Sequence, residues 1–172
     1  MLLITWFAHD AADRIYRAIV HAEPGRKTLQ PILRPYDTVG STRYVGFDTT
    51  RSVWLTRPDK SHINYVVLDS NWEAKFVQSL EEMNELLCYA RNDHLGFTIP
   101  YTLNGDQRSY VPDFIARIHD GRPEPLNLIL EVTGMRTKEK AAKASTARTL
   151  WVPAVNNHGG FGRWAFLQIT DP

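Results

Sequence analysis

The sequence predicts an α/β domain whose core, residues 69–172, runs helix, three strands, helix, strand. Three observations carry this. Apolar residues recur at helical spacing in "DSNWEAKFVQSLEEMNELLCYARN". Three β-rich runs follow, "GFTIPYTL", "SYVPDFIARI" and "LNLILEVT", separated by the turn-rich "NGDQR" and "HDGRPEP". A second helical stretch, "TKEKAAKASTARTLWVPAV", then leads to the strand-like "RWAFLQIT".

Taken in order, residues 8–22 read as a short amphipathic helix with Ala11, Ile15, Ala18 and Ile19 on one face, stopped by Pro24 and Gly25. Residues 1–68 as a whole form an N-terminal arm. Beyond residue 22 it is irregular and β-rich, with prolines spaced through short runs such as "RYVGFDT" and "INYVVLD". The first core helix carries a stripe of Trp72, Phe76, Leu80, Met83 and Leu87, starts at Asp69 or Ser70 as N-cap, and is expected to end near Asn92. Glu81, Glu82 and Glu85 of that helix read as solvated. Asn104-Gly105 favours a tight hairpin between the first two strands. In the third strand Asn127, Ile129, Glu131 and Thr133 share one face and Leu128, Leu130 and Val132 the other. Both faces are apolar, so this strand is expected to be central and covered on both sides. Pro153 is expected to bend or end the second helix, and "NNHGGFG" to form a loop before the closing strand.

A chain of 172 residues with 43% hydrophobic and 23% charged residues can bury a core as one globular domain. Its net charge of +1 gives no global sign of nucleic-acid binding, although it leaves room for a local basic patch. Cys88 is the sole cysteine, which excludes an intrachain disulfide or a thiolate metal cluster and suits a reducing cytoplasm. Asp10, Asp13, Arg14 and Arg17 interrupt the apolar N-terminal stretch too early for a membrane span, and the features of a secretory signal are missing. A cytoplasmic protein with no membrane partner is therefore expected. No G-x-x-x-x-G-K-[ST] loop is present, and "EPGRKT" lacks its spacing, so no ATP site is expected in this chain.

The candidate chemistry lies in carboxylates. Glu131 stands near the end of a strand buried on both faces, where an unpaired carboxylate is expensive. Asp113 follows Pro112, and proline in a sheet marks an edge, a strand start or a bulge; a bend there turns Asp113 toward Glu131. Two close carboxylates repel, and Mg²⁺ relieves that repulsion while supplying charge to a scissile phosphate. Glu73 faces partly inward and is a third candidate acid, although a first-turn glutamate is also explained by the helix dipole. A cation comes from the second helix, where Lys140 and Lys143 share the arc of Ala144, Ala147, Leu150 and Trp151 while Lys138 points away. Both lysines could equally run past Trp151 to water.

These residues resemble the PD-(D/E)XK nuclease superfamily. More narrowly, "NWEAKF", "LGFTIPY", "YVPDFIARI", "LNLILEVTG", "KAAK" and "WVPAVNNHGGFGRWAF" resemble the C-terminal part of the Res (helicase–nuclease) subunits of type III restriction systems. "LRPYDTVGSTRYVGFDTTR" resembles the segment that joins such a nuclease to its motor. The resemblance implies a restriction-endonuclease-like αβββαβ core with a central mixed sheet between helices. It implies cleavage of double-stranded DNA with Mg²⁺ or Mn²⁺, metal ligation by Asp113 and Glu131, and Glu73 as an accessory acid and further ligand. A helicase motor and a modification methyltransferase are the implied partners. The lysine of the signature falls on Thr133; some superfamily members place it on the following helix, where Lys140 and Lys143 lie. That departure leaves one rival, a catalytically silent DNA-binding or docking module of the same fold; a second is a repair- or transposon-type nuclease that shares the fold.

Overall fold

The computed structural model describes residues 29–33, 36, 38–134 and 137–170, so the helix expected over 8–22 lies outside the described residues. After a 3-10 turn at Thr42–Tyr44, strands β1 (Val53–Leu55) and β2 (Tyr65–Val67) pair antiparallel. Helix α1 (Asn71–Glu82) begins at Ser70, whose hydroxyl accepts the Glu73 N–H at 3.2 Å.

The helix ends at Glu82, not near Asn92. Residues Leu86–Arg91 form strand β3 instead, antiparallel to strand β6 (Phe114–Ile118). A short apolar run fits either period, and pairing with a neighbouring strand overrides local propensity here. The expected stripe shifts with it: Met83 and Leu87 are 39% and 43% exposed, and the buried positions of α1 are Glu73, Val77, Leu80 and Glu81. Glu81 is thus buried, not solvated. Its carboxylate accepts the Tyr89 hydroxyl (2.7 Å), the Arg57 N–H (3.0 Å) and the Trp54 indole N–H (3.2 Å), which tie β1 and its following loop to α1 and β3.

"SYVPDFIARI" is not one strand. Strands β4 (Ile99–Leu103) and β5 (Asp106–Tyr110) form a separate two-stranded ribbon, and β6 begins only at Phe114. Asn104 and Gly105 make the expected tight turn with φ of 53° and 89°, the left-handed pair a two-residue hairpin requires. Pro112, lacking an N–H for a ladder, sits in the break between β5 and β6.

The main sheet is four-stranded and mixed, in the order β3-β6-β7-β8, with β7 (Leu126–Thr133) parallel to β8 (Arg163–Thr170) and the other pairs antiparallel. Strand β7 is central, as its two apolar faces predict. On one side Leu130 packs with Phe114, Val77, Leu80 and Val66; on the other Ile129 packs with Ile99, Tyr101, Tyr110 and Ala147.

The helical stretch that returns the chain to β8 is α2 (Lys138–Thr146), a π-turn at Ala147–Trp151 and α3 (Val152–His158). Pro153 cannot donate to the ladder and its ring crowds the preceding turn; the widened turn just before it lets the helix run on. The expected loop is shortened accordingly, and Gly159 ends α3 in the left-handed conformation (φ 75°). Asn156 then exchanges two hydrogen bonds with the Trp164 backbone (2.8 and 2.9 Å), stapling α3 to the start of β8. Arg163 is held by Asp120 at 2.6 and 3.0 Å and by the Glu124 carbonyl at 2.7 Å. Among the described residues no helix is long and apolar enough to cross a membrane.

Candidate active site

Asp113 sits where the chain leaves the ribbon and enters the main sheet, and Asn92 fixes that crossing. The Asn92 N–H donates to the Asp113 carbonyl (2.9 Å), while its side-chain amide donates to the carbonyls of Pro112 (2.9 Å) and Phe97 (2.8 Å). With its backbone clamped, Asp113 turns its carboxylate onto β7, where Oδ2 accepts the Val132 N–H at 2.7 Å. Val132 follows Glu131 directly, so the two acids are neighbours across the β6–β7 pairing. Glu131 Oε2 accepts the hydroxyl of Tyr110 at 2.5 Å.

The electrostatics record this proximity. Burial and then the Asp113 charge push Glu131 up to about 7, against the pull of the Tyr110 hydroxyl, the Lys143 ammonium and the Asp113 N–H. Burial likewise lifts Asp113, helped by Glu73 and Asp69 and opposed by the Val132 N–H and Arg91. Two half-buried acids are therefore held close with too little positive charge around them.

Glu73 is not gathered with this pair. Its Oε2 accepts the Asp69 N–H (2.6 Å) and lies 3.1 Å from Arg91 Nη1. Among the described residues no three His, Cys, Asp or Glu side chains converge as a cation cage. Arg91, on β3, also contacts Asp69 (2.6 Å) and Asp93 (3.0 Å). Burial opposes its charge, but Glu73, Asp93, Asp69 and Asp113 together hold its pKa above the ordinary value. Glu73 and Asp113 thus face a common guanidinium.

The two lysines of the second helix part company. Lys143 places its ammonium 5.7 Å from the Tyr101 ring centre and 5.8 Å from that of Tyr110, the phenol that binds Glu131. Its ionic partner is Glu139, at 2.9 Å. Lys140 donates its backbone N–H to Thr137 Oγ1 at 3.2 Å, in the first turn of the helix. Thr133, at the signature position, is 1% exposed and carries no charge.

Sequence reasoning missed Tyr110, Asn92 and Arg91. Tyr110 lies three residues before Asp113, but the apparent continuity of "SYVPDF" hid the break that turns it toward Glu131. The sequence places Arg91 and Asn92 at the expected helix end, where neither has a role.

The donor set suits a hard divalent ion. Asp113 Oδ2 and Glu131 Oε2 are anchored by hydrogen bonds, and Mg²⁺ is commonly held through one or two carboxylates plus water and phosphate. In the metal-free chain the pair has a pH signature. Glu131 rises from 4.5 to about 7 on folding, so the folded state keeps a proton that the unfolded chain has lost in that window. The stabilisation is full below 4.5 and disappears as pH rises through about 7. Urea denaturation across this range is expected to show a fall on the order of 3 kcal/mol, and Glu131→Gln is expected to flatten it.

The profile of a protein family described as Endonuclease domain matches residues 59–151, more than half of the chain. No curated protein and no solved structure matches it.

Proposed function

From the premise that the chain belongs to this Endonuclease domain family, and is thus a nuclease domain, we propose that it hydrolyses DNA phosphodiester bonds with Mg²⁺ as part of a type III-like restriction system. The observation that supports this best is the acid pair, with Asp113 bonded to the residue after Glu131, both carboxyls lifted first by burial, and Glu131 lifted further by the Asp113 charge. If the β4–β5 ribbon is an insertion, the remaining order α1-β3-β6-β7-α2-β8 is the αβββαβ arrangement of restriction-endonuclease-like domains.

In this reading Asp113 and Glu131 are the metal ligands, and Glu73 assists from beyond Arg91. Bound Mg²⁺ supplies Lewis-acid charge at the scissile phosphate. The chain's own residues do the rest. Asn92 and the Val132 N–H orient Asp113, and Tyr110 sets the plane of the Glu131 carboxylate. Lys143 offers its ammonium to the charge that develops on the phosphate oxygens, the part Thr133 cannot take. Lys143 is favoured over Lys140 because its ammonium lies beside Tyr110 and is felt by Glu131. Double-stranded DNA is the substrate, Mn²⁺ the expected surrogate ion, and a helicase motor and a modification methyltransferase the partners that supply translocation and sequence recognition in the cytoplasm.

Supercoiled plasmid incubated with the full chain and Mg²⁺ or Mn²⁺ tests this. Nicking that chelation stops and that Glu131→Gln lowers by about a hundredfold or more is the expected result. One observation favours the alternative of a silent DNA clamp: the buried, uncharged Thr133 at the signature position. DNA binding that is insensitive to Glu131→Gln, without nicking under either metal, would decide for the clamp.

A further inference from the structure

Lysine side chains have wide rotamer freedom, and an exposed i,i+4 ion pair is too weak by itself to hold one in place. Lys143 is held by more than its Glu139 pair. The Glu139 oxygen that contacts its ammonium, Oε1, also accepts the hydroxyl of Tyr101 at 2.9 Å. Tyr101 comes from β4, a different element, and is 4% exposed, so its phenol is a fixed post and not another mobile surface group. The ammonium lies over the rings of both Tyr101 and Tyr110. Its position is thus defined by α2, β4 and β5 together.

We propose that Glu139 and Tyr101 are positioning residues that hold the Lys143 ammonium over Tyr110, the phenol bonded to Glu131, ready for the phosphate of bound DNA. The role rests on the nuclease reading above and identifies which groups outside the acid pair set the geometry of its cation. The Lys143 ammonium and then the Tyr101 hydroxyl keep the Glu139 carboxyl below its ordinary pKa, so the post is anionic throughout the working range. A cation fixed before substrate arrives raises the fraction of bound complexes in reactive geometry, which acts on kcat and leaves KM alone.

The test uses the full chain with two variants, Glu139→Ala and Tyr101→Phe; the second removes one hydroxyl and keeps the ring. In metal-free protein, acylation of Lys143 by an amine-reactive ester is followed by peptide mapping, with exposed Lys138 as internal reference. Glu139→Ala is expected to speed Lys143 labelling about fivefold and to lower kcat for Mn²⁺-dependent plasmid nicking about tenfold, with KM, the Mn²⁺ midpoint and Tm unchanged. Tyr101→Phe is expected to move both readouts in the same direction by about threefold. If nicking falls in Lys143→Met while Glu139→Ala changes neither labelling nor kcat, the positioning role is overturned and the nuclease reading stands. If the wild-type chain nicks nothing with either metal, the nuclease reading fails and takes the positioning role with it.

Discussion

Asp113→Asn is expected to lower plasmid nicking by about a thousandfold while leaving the fold intact and, near pH 8, somewhat more stable. The amide keeps an oxygen for the Val132 N–H, so the crossing from ribbon to sheet stays in register. What it removes is the negative charge that, after burial, contributes most to lifting Glu131. Released from that repulsion, Glu131 ionises at lower pH, and the gain should be about 1 kcal/mol in chemical denaturation. Loss of function with a gain of stability is characteristic of a group held against its own electrostatic preference for a purpose other than folding. Asp113→Ala should lose nicking equally but also strand the Val132 N–H, at a cost of about 1–3 kcal/mol. An Asp113→Asn protein that cuts at the wild-type rate would remove the carboxylate pair from the chemistry.

The largest expected loss of stability lies elsewhere, at Glu81. Its buried carboxylate is the shared acceptor of a phenol, an indole and a backbone N–H contributed by β3, β1 and the loop after β1. Glu81→Ala leaves these donors without their acceptor, and breaking such a buried charged network costs about 3–5 kcal/mol. Glu81→Gln retains an acceptor oxygen and should cost about half as much. For a domain of this size the alanine variant should melt roughly 10 °C lower, which calorimetry would detect. Nicking at low temperature should survive, because Glu81 contacts neither Asp113 nor Glu131. A wild-type melting temperature for Glu81→Ala would mean that β1 and its following loop are not fastened to the core in this way.

The strand bearing Glu131 was legible because eight consecutive residues, with apolar side chains on both faces, can hardly be anything but a central strand. Asn104-Gly105 was legible because a two-residue hairpin needs two left-handed residues. "ELLCYAR" was not, because its apolar residues suit a helix and a strand alike, and only pairing with β6, far along the sequence, decides between them. That one ambiguity hid Arg91 and Asn92, whose roles exist only if they leave β3 together. Glu81 misled for a related reason: helical periodicity identifies a face, but not that β1, its following loop and β3 will each bring a donor to it. The difference between Lys140 and Lys143 was beyond reach too, since it depends on two tyrosines of a ribbon that the sequence does not mark as separate from the main sheet.

That ribbon has a mechanical consequence. Tyr110 belongs to it, whereas Asp113, three residues later, sits just before β6 and is bonded to β7 of the main sheet, and both reach the neighbourhood of Glu131. Any tilt of the Asn104–Gly105 tip would act like a lever pivoting at Pro112, sliding a phenol across one carboxylate while the other stays put.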